Sequence, residues 1–219
     1  MEQVRLRSKR IQILSALAIS SGMPLGFVWV TMQFFLVDLS IPKATIGLLS
    51  GVSLPWTLKF LWSPLVDRYA LRWPGRRRSW VLLTQVGLAA AFGGFALLAW
   101  WLLSRAPADR PPSTPLLIGL MAMLIAFISA TQDIAYDAYC VEALEPAEQG
   151  PVSGLKILYY RIGMLLTGAF AVSAAAADPG ARSAALSTHT PAAMFRACRD
   201  FSPIMFGLPF KFYRTVTFT

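Results

Sequence analysis

Charge is scarce in this sequence. Only 14% of its 219 residues are Asp, Glu, Lys or Arg, against about 25% in an ordinary soluble domain. Histidine occurs once, at His189, and cysteine twice, at Cys140 and Cys198, with no CxxC spacing. A histidine-based metal or catalytic centre therefore lacks ligands, and a disulfide framework lacks partners. The net charge of +9 comes without zinc spacing or interleaved aromatic and basic residues, which sets nucleic acid aside as a partner. No metal and no cofactor are expected, and the composition offers no catalytic residue set.

What the chain has is long apolar runs. Hydrophobic residues make up 56% of it, gathered into blocks rather than scattered at core spacing. Runs of roughly 18 or more apolar residues cross a bilayer, and there the backbone satisfies itself as helix. The blocks predict an all-α membrane protein with about five spans, at residues 12–37, 44–66, 79–103, 115–139 and 152–175. The uncharged stretch from Ile11 to Val37 exceeds the 7–15-residue core of a signal peptide, so an uncleaved first span is expected. Gly22 with Gly26, and Gly47 with Gly51, have the small-xxx-small spacing that lets helices approach closely in lipid. Pro24 predicts a kink, and Pro55 lies mid-span in the second block.

Lysine and arginine set the orientation. Arg5, Arg7, Lys9, Arg10, Arg68, Arg72, Arg76, Arg77 and Arg78 fall on one side of the spans, whereas Lys43, Arg105 and Arg110 fall on the other. This places the N-terminus in the cytoplasm. Three regions follow: a basic cytoplasmic arm over 1–11, a five-helix transmembrane region over 12–175, and a divergent tail over 176–219. Asp178-Pro179-Gly180 ends the last helix, and the tail is expected to be disordered or to lie on the membrane through Phe206, Phe210, Phe212 and Tyr213.

A charge inside a span is costly and marks function by default. Lys59, Asp133, Asp137, Lys156 and Arg161 are such charges. At about 1.5 Å per residue, Lys59 and Asp133 lie roughly 10 Å from the cytoplasmic ends of their spans, and Arg161 roughly 14 Å from that face. Lys156 and Asp137 are expected nearer the interface. Asp133 and Asp137, four apart, share one helix face. A cluster of Lys59, Asp133 and Arg161 is expected, with Gln132 and Asp137 beside it. It either lines a substrate or proton path or simply orients helices. A DxxxD pair in a membrane helix also occurs in polyprenyl transferases, but those need a second acid-rich motif, and here Asp67 is followed by Arg68.

The order of motifs resembles the major facilitator superfamily. Asp67-Arg68 followed by Gly75-Arg76-Arg77 is similar to its loop signature between spans two and three. Ser63 replaces the usual first glycine and the gap before Gly75 is longer, as in the AmpG-like branch that includes acetyl-CoA transporters. Ser21-Gly22-Met23-Pro24-Leu25, Lys59 to Tyr69, Ser129 to Ile134 with Asp137-Ala138, and Tyr160 to Leu165 resemble that branch in order, over about residues 10–174. The resemblance implies an incomplete N-terminal half of a facilitator bundle in the bacterial inner membrane, and not an enzyme. It implies proton-coupled uptake of muropeptides or anhydromuramyl sugars for peptidoglycan recycling, with protons, a muropeptide-like solute and the lipid bilayer as partners. Asp67, Arg68, Gly75, Arg76, Arg77 and Arg78 would form a cytoplasmic gate, unless the arginines only enforce topology. The pattern stops after about five spans, so a truncated permease is expected; the alternative is a non-transporting membrane remnant or interaction protein.

Overall fold

The computed structural model describes residues 17–69 and 76–176, together with Ile11 and Leu14. The expected basic arm apart from Ile11, and the tail beyond Ala176, lie outside the described residues. Within them the chain is helical and contains no strand. Five long helices run up and down: α1 over residues 17–38, α2 over 43–68, α3 at Arg76–Leu103, α4 at Thr114–Ala143 and α5 at Pro146–Ala176. The stretches Leu17–Val37, Lys43–Leu61, Ser79–Leu103 and Thr114–Ala143 are long and apolar enough to cross a membrane. The α5 helix, which carries Lys156 and Arg161, is of comparable length.

Pro24 removes a helical N–H, and three residues later α1 widens into a π turn at Phe27–Thr31, closed by the Met32 N–H on the Phe27 carbonyl. Single π turns of this kind are a recognised local response within α-helices, often near functional sites. The turn presents Phe27 edge-on to Phe92 and Phe95 of α3, at 4.9 and 5.1 Å between ring centroids, a favoured aromatic geometry. The helix then ends in a left-handed cap. Ser40 has φ 57°, its N–H bonds the Val37 carbonyl, and the Ile41 N–H bonds the Leu36 carbonyl. This is the Schellman arrangement, with serine at the position glycine usually takes.

The sequence predicts α2 as one span. It is instead a chain of pieces: Lys43–Leu49, a 3₁₀ turn at Ser50–Ser53, Leu54–Leu58, a second 3₁₀ turn at Lys59–Leu61, and Ser63–Arg68. Pro55 and Pro64 each start a new piece, since neither can donate a bond to the preceding turn. The hydroxyls of Ser50 and Ser53 bond the Gly47 and Ser50 carbonyls at 2.7 and 2.9 Å.

The acidic segment over 142–151, which falls between the fourth and fifth predicted spans, is almost all helix. α4 runs to Ala143 and α5 starts at Pro146, with only Leu144 and Glu145 between them. Proline is at ease at a first helical position, and the Glu148 carboxylate accepts the Glu145 N–H at 3.2 Å, the reach-back half of a capping box.

Two apolar cores stack along the bundle. One joins the end of α1 to α3 and the start of α4 through Phe35, Leu88, Phe95, Ile118 and Ile125. The other joins the start of α1 and the end of α4 to α2 and α5 through Leu14, Val66, Tyr136 and Val152. Between them lies a buried polar layer containing Ser20, Ser21, Gln85, Gln132 and Asp133.

Candidate functional site

The polar layer is flanked by a close helix contact. A Cβ on Gly22 would run into the Tyr160 carbonyl, one on Gly26 would come within 2.5 Å of the Met164 carbonyl, and one on Gly163 would run into the Ile19 carbonyl. So α1 and α5 touch backbone to backbone, and Gly22 and Gly26 serve the packing role their spacing predicted. Gly47 and Gly51 do not: nothing lies within 4 Å of a Cβ on Gly47, and only the end of Leu54 lies near one on Gly51.

This contact fixes Ser21 against α4. The Ser21 hydroxyl donates to Asp133 Oδ1 at 2.5 Å. Beside it, Gln85 Nε2 donates to the Ser20 hydroxyl at 3.3 Å, and Ser20 donates to the Leu17 carbonyl at 2.9 Å. Tyr136 anchors the same region by donating to the Leu14 carbonyl at 2.6 Å. Gln132 is buried, and its Oε1 has no hydrogen-bond partner among the described residues.

One turn along α4, Asp137 is shared by two lysines. Its Oδ1 pairs with Lys156 of α5, and its Oδ2 lies 3.9 Å from Lys59 Nζ of α2. The Lys156 ammonium also sits 5.0 Å over the Tyr136 ring, an attraction added to the ion pair. A cavity of about 330 Å³ opens onto these groups, with Ser21, Trp56, Asp133 and Tyr160 on its wall. A second, of about 830 Å³, lies toward the Asp67–Arg68 end, and Lys59 and Asp137 line both.

The expected grouping of Lys59, Asp133 and Arg161 is thus rearranged. Lys59 pairs with Asp137, Asp133 with Ser21, and Arg161 is exposed, outside both cavities. Lys156, expected at the interface, takes the central place. The cause is the two-residue turn between α4 and α5. Lys156, eleven residues after Glu145, is thereby brought back within reach of Asp137, seven before Leu144, while Arg161 lies five residues further on. The capping signal at Glu145–Glu148 was the clue to that register. Asp67 and Arg68 line the larger cavity. Gly75 and the side chains of Arg76, Arg77 and Arg78 lie outside the described residues.

The acetyl-coenzyme A transporter 1 family matches this chain over residues 10–178. The chain belongs to that family. Among curated relatives, the anhydromuropeptide permease of Escherichia coli K12 is 38% identical over 164 residues, which is 74% of this chain and 31% of the relative. An uncharacterized protein of Haemophilus influenzae is 38% identical over 173 residues, covering 78% and 38%. The putative transporter AmpG 3 of Rickettsia prowazekii is 32% identical over 155 residues, covering 68% and 34%. The chain therefore spans about a third of the length of these relatives, in their N-terminal part. No solved structure shows significant similarity to it.

Proposed function

We propose that this chain is the N-terminal, site-bearing part of a proton-coupled permease for muropeptide-like solutes in the bacterial inner membrane, with its N-terminus in the cytoplasm. The observation that carries the reading is the charge constellation inside an apolar bundle. Lys59, Asp137, Lys156 and Asp133 come from three helices and converge on one cavity. Charges at such depth are retained where they serve transport, and transporter sites lie at the middle of the bundle between helices. Family membership and the names of the relatives support the same reading. Asp133, bonded to a neutral hydroxyl rather than a cation, is the carboxylate suited to exchange a proton. Lys59 and Asp137, on the wall of both cavities, stand where a cytoplasmic gate ending at Asp67 and Arg68 would close. The membrane prenyltransferase alternative lacks support, because Ser21 and two lysines engage both carboxylates of the DxxxD pair.

A chimera tests this. The chain replaces the matching N-terminal segment of the Escherichia coli permease, in a strain lacking its own copy, and uptake of labelled muropeptide is measured with and without a protonophore. Protonophore-sensitive uptake is expected, and lost in the Asp133→Asn chimera. A chimera that reaches the membrane and imports no more than the empty vector overturns the proposal. Producing the 219-residue chain alone in the same strain separates a working transporter from a non-transporting membrane protein.

A further inference from the structure

The way Asp137 is held points to the chemistry of what the cavity takes. Its two oxygens are divided between two cations, Oδ1 with Lys156 and Oδ2 with Lys59. The lysines come from different helices, so a single carboxylate ties α2 to α5 across α4. None of the three is sealed away. The side chains of Lys59, Lys156 and Asp137 are 38%, 26% and 46% exposed, and all three line the 330 Å³ cavity. A solute in that cavity reaches both ammonium groups. Asp137 also lines the larger cavity, where Arg68 is on the wall, so a displaced Asp137 has space and a cation to turn toward.

We propose that Lys59 and Lys156 form a subsite for a carboxylate on the transported solute, and that Asp137 occupies it as an internal substitute when no solute is bound. The solute class is a monoanionic, carboxylate-bearing sugar or peptide conjugate. A carboxylate is favoured because one already bridges the two lysines, and a solute carboxylate reproduces both contacts atom for atom. Nearby, Asp133 is bonded to Ser21 and stays in place during the exchange. Trp56 and Tyr160 on the same wall supply flat apolar surface for the body of the solute. The exchange releases Lys59 from Asp137 and so couples occupancy of the subsite to movement of the 3₁₀ turn carrying Lys59. This inference rests on the permease reading and adds the charge of the solute to it.

The test is binding to the whole chain in lipid nanodiscs, with N-acetylmuramate as the carboxylate probe and its methyl ester as the uncharged control. The acid is expected to bind at least about tenfold more tightly than the ester. Asp137→Asn removes a tethered competitor whose effective concentration is of millimolar order, so it is expected to tighten acid binding by about tenfold while leaving the ester unchanged. Lys156→Met and Lys59→Met are expected to abolish the preference for the acid. Lys59, on the more exposed side, serves as the second variant if Lys156→Met does not fold by circular dichroism. Equal binding of acid and ester, or an Asp137→Asn variant with acid affinity unchanged or weakened, overturns the subsite and assigns the lysines to helix bridging alone. The two proposals fail separately. A chimera that imports solute through a charge-blind cavity removes the subsite and keeps the permease; a charge-selective cavity in a chimera without uptake does the reverse.

Discussion

The α1–α5 crossing and the α2 helix are both rich in glycine and proline, yet they are built in opposite ways. In the first, Gly22, Gly26 and Gly163 are consumed by contact, leaving no room for a single added carbon. In the second, no neighbouring helix stands against Gly47 or Gly51, and the helix is divided by two 3₁₀ turns. Large side chains along it, including Leu48, Phe60, Leu61 and Leu65, are exposed. The same residue types lock one element and loosen another. The difference lies in whether a partner backbone stands opposite. The site draws on both: Ser21 and Lys156 are carried by the locked helices, Lys59 by a 3₁₀ turn of the loosened one, and Asp133 and Asp137 by α4.

The sharpest way to break this contrast is at the locked crossing. Gly22→Leu, or Gly163→Leu, drives a side chain into a carbonyl of the facing helix, and backbone cannot swing aside as a side chain can. A loss of about 3 kcal/mol or more is expected, at or above the upper end for overpacked sites, read as a fall in folded yield and melting temperature in detergent. A smaller loss is expected for Ser21→Ala, which removes the donor at Asp133 while leaving the helix contact intact. It should cost about 1–3 kcal/mol, the range for stranding a buried acceptor, and Ser21→Thr should recover part of it. At the loosened helix the sign reverses. Gly47→Ala meets no atom and raises helix propensity, so a gain of up to about 1 kcal/mol is expected in the same melts. A destabilised Gly47→Ala variant would show that α2 is as tightly partnered as α5.

Much of the architecture was legible in the sequence, because hydrocarbon length and backbone self-satisfaction leave few alternatives to helices. The runs placed α1, α3 and α4 to within a few residues, and the Gly22/Gly26 spacing identified a packing face. Register was harder to read. Hydropathy weighs Glu142, Glu145 and Glu148 as loop-forming, whereas a proline at the first helical position and a capping glutamate make most of that stretch helix. Shortening the connection to Leu144–Glu145 brought Lys156 within reach of Asp137 and left Arg161 five residues further on. The partnership of Ser21 with Asp133 spans 112 positions in sequence, and depth estimates along single spans carry no information on which helix faces which. The segmentation of α2 was half visible: Pro55 and Pro64 mark breaks, but the 3₁₀ turns arise from how those breaks are filled.

The π turn at Phe27–Thr31 gives the first helix an unusual kind of memory. It holds one residue more than a regular turn, so the surplus is taken up inside the turn and the segments on either side face as they would in an unbroken helix. Before it, Ser21 and Gly22 sit on Asp133 and Tyr160; after it, Phe35 packs on Phe95. Losing a single codon there would let the turn close to a regular one with both seatings kept. A second surplus residue has no such outlet: it would turn one segment by about 100° against the other, taking either Ser21 off Asp133 or Phe35 off Phe95.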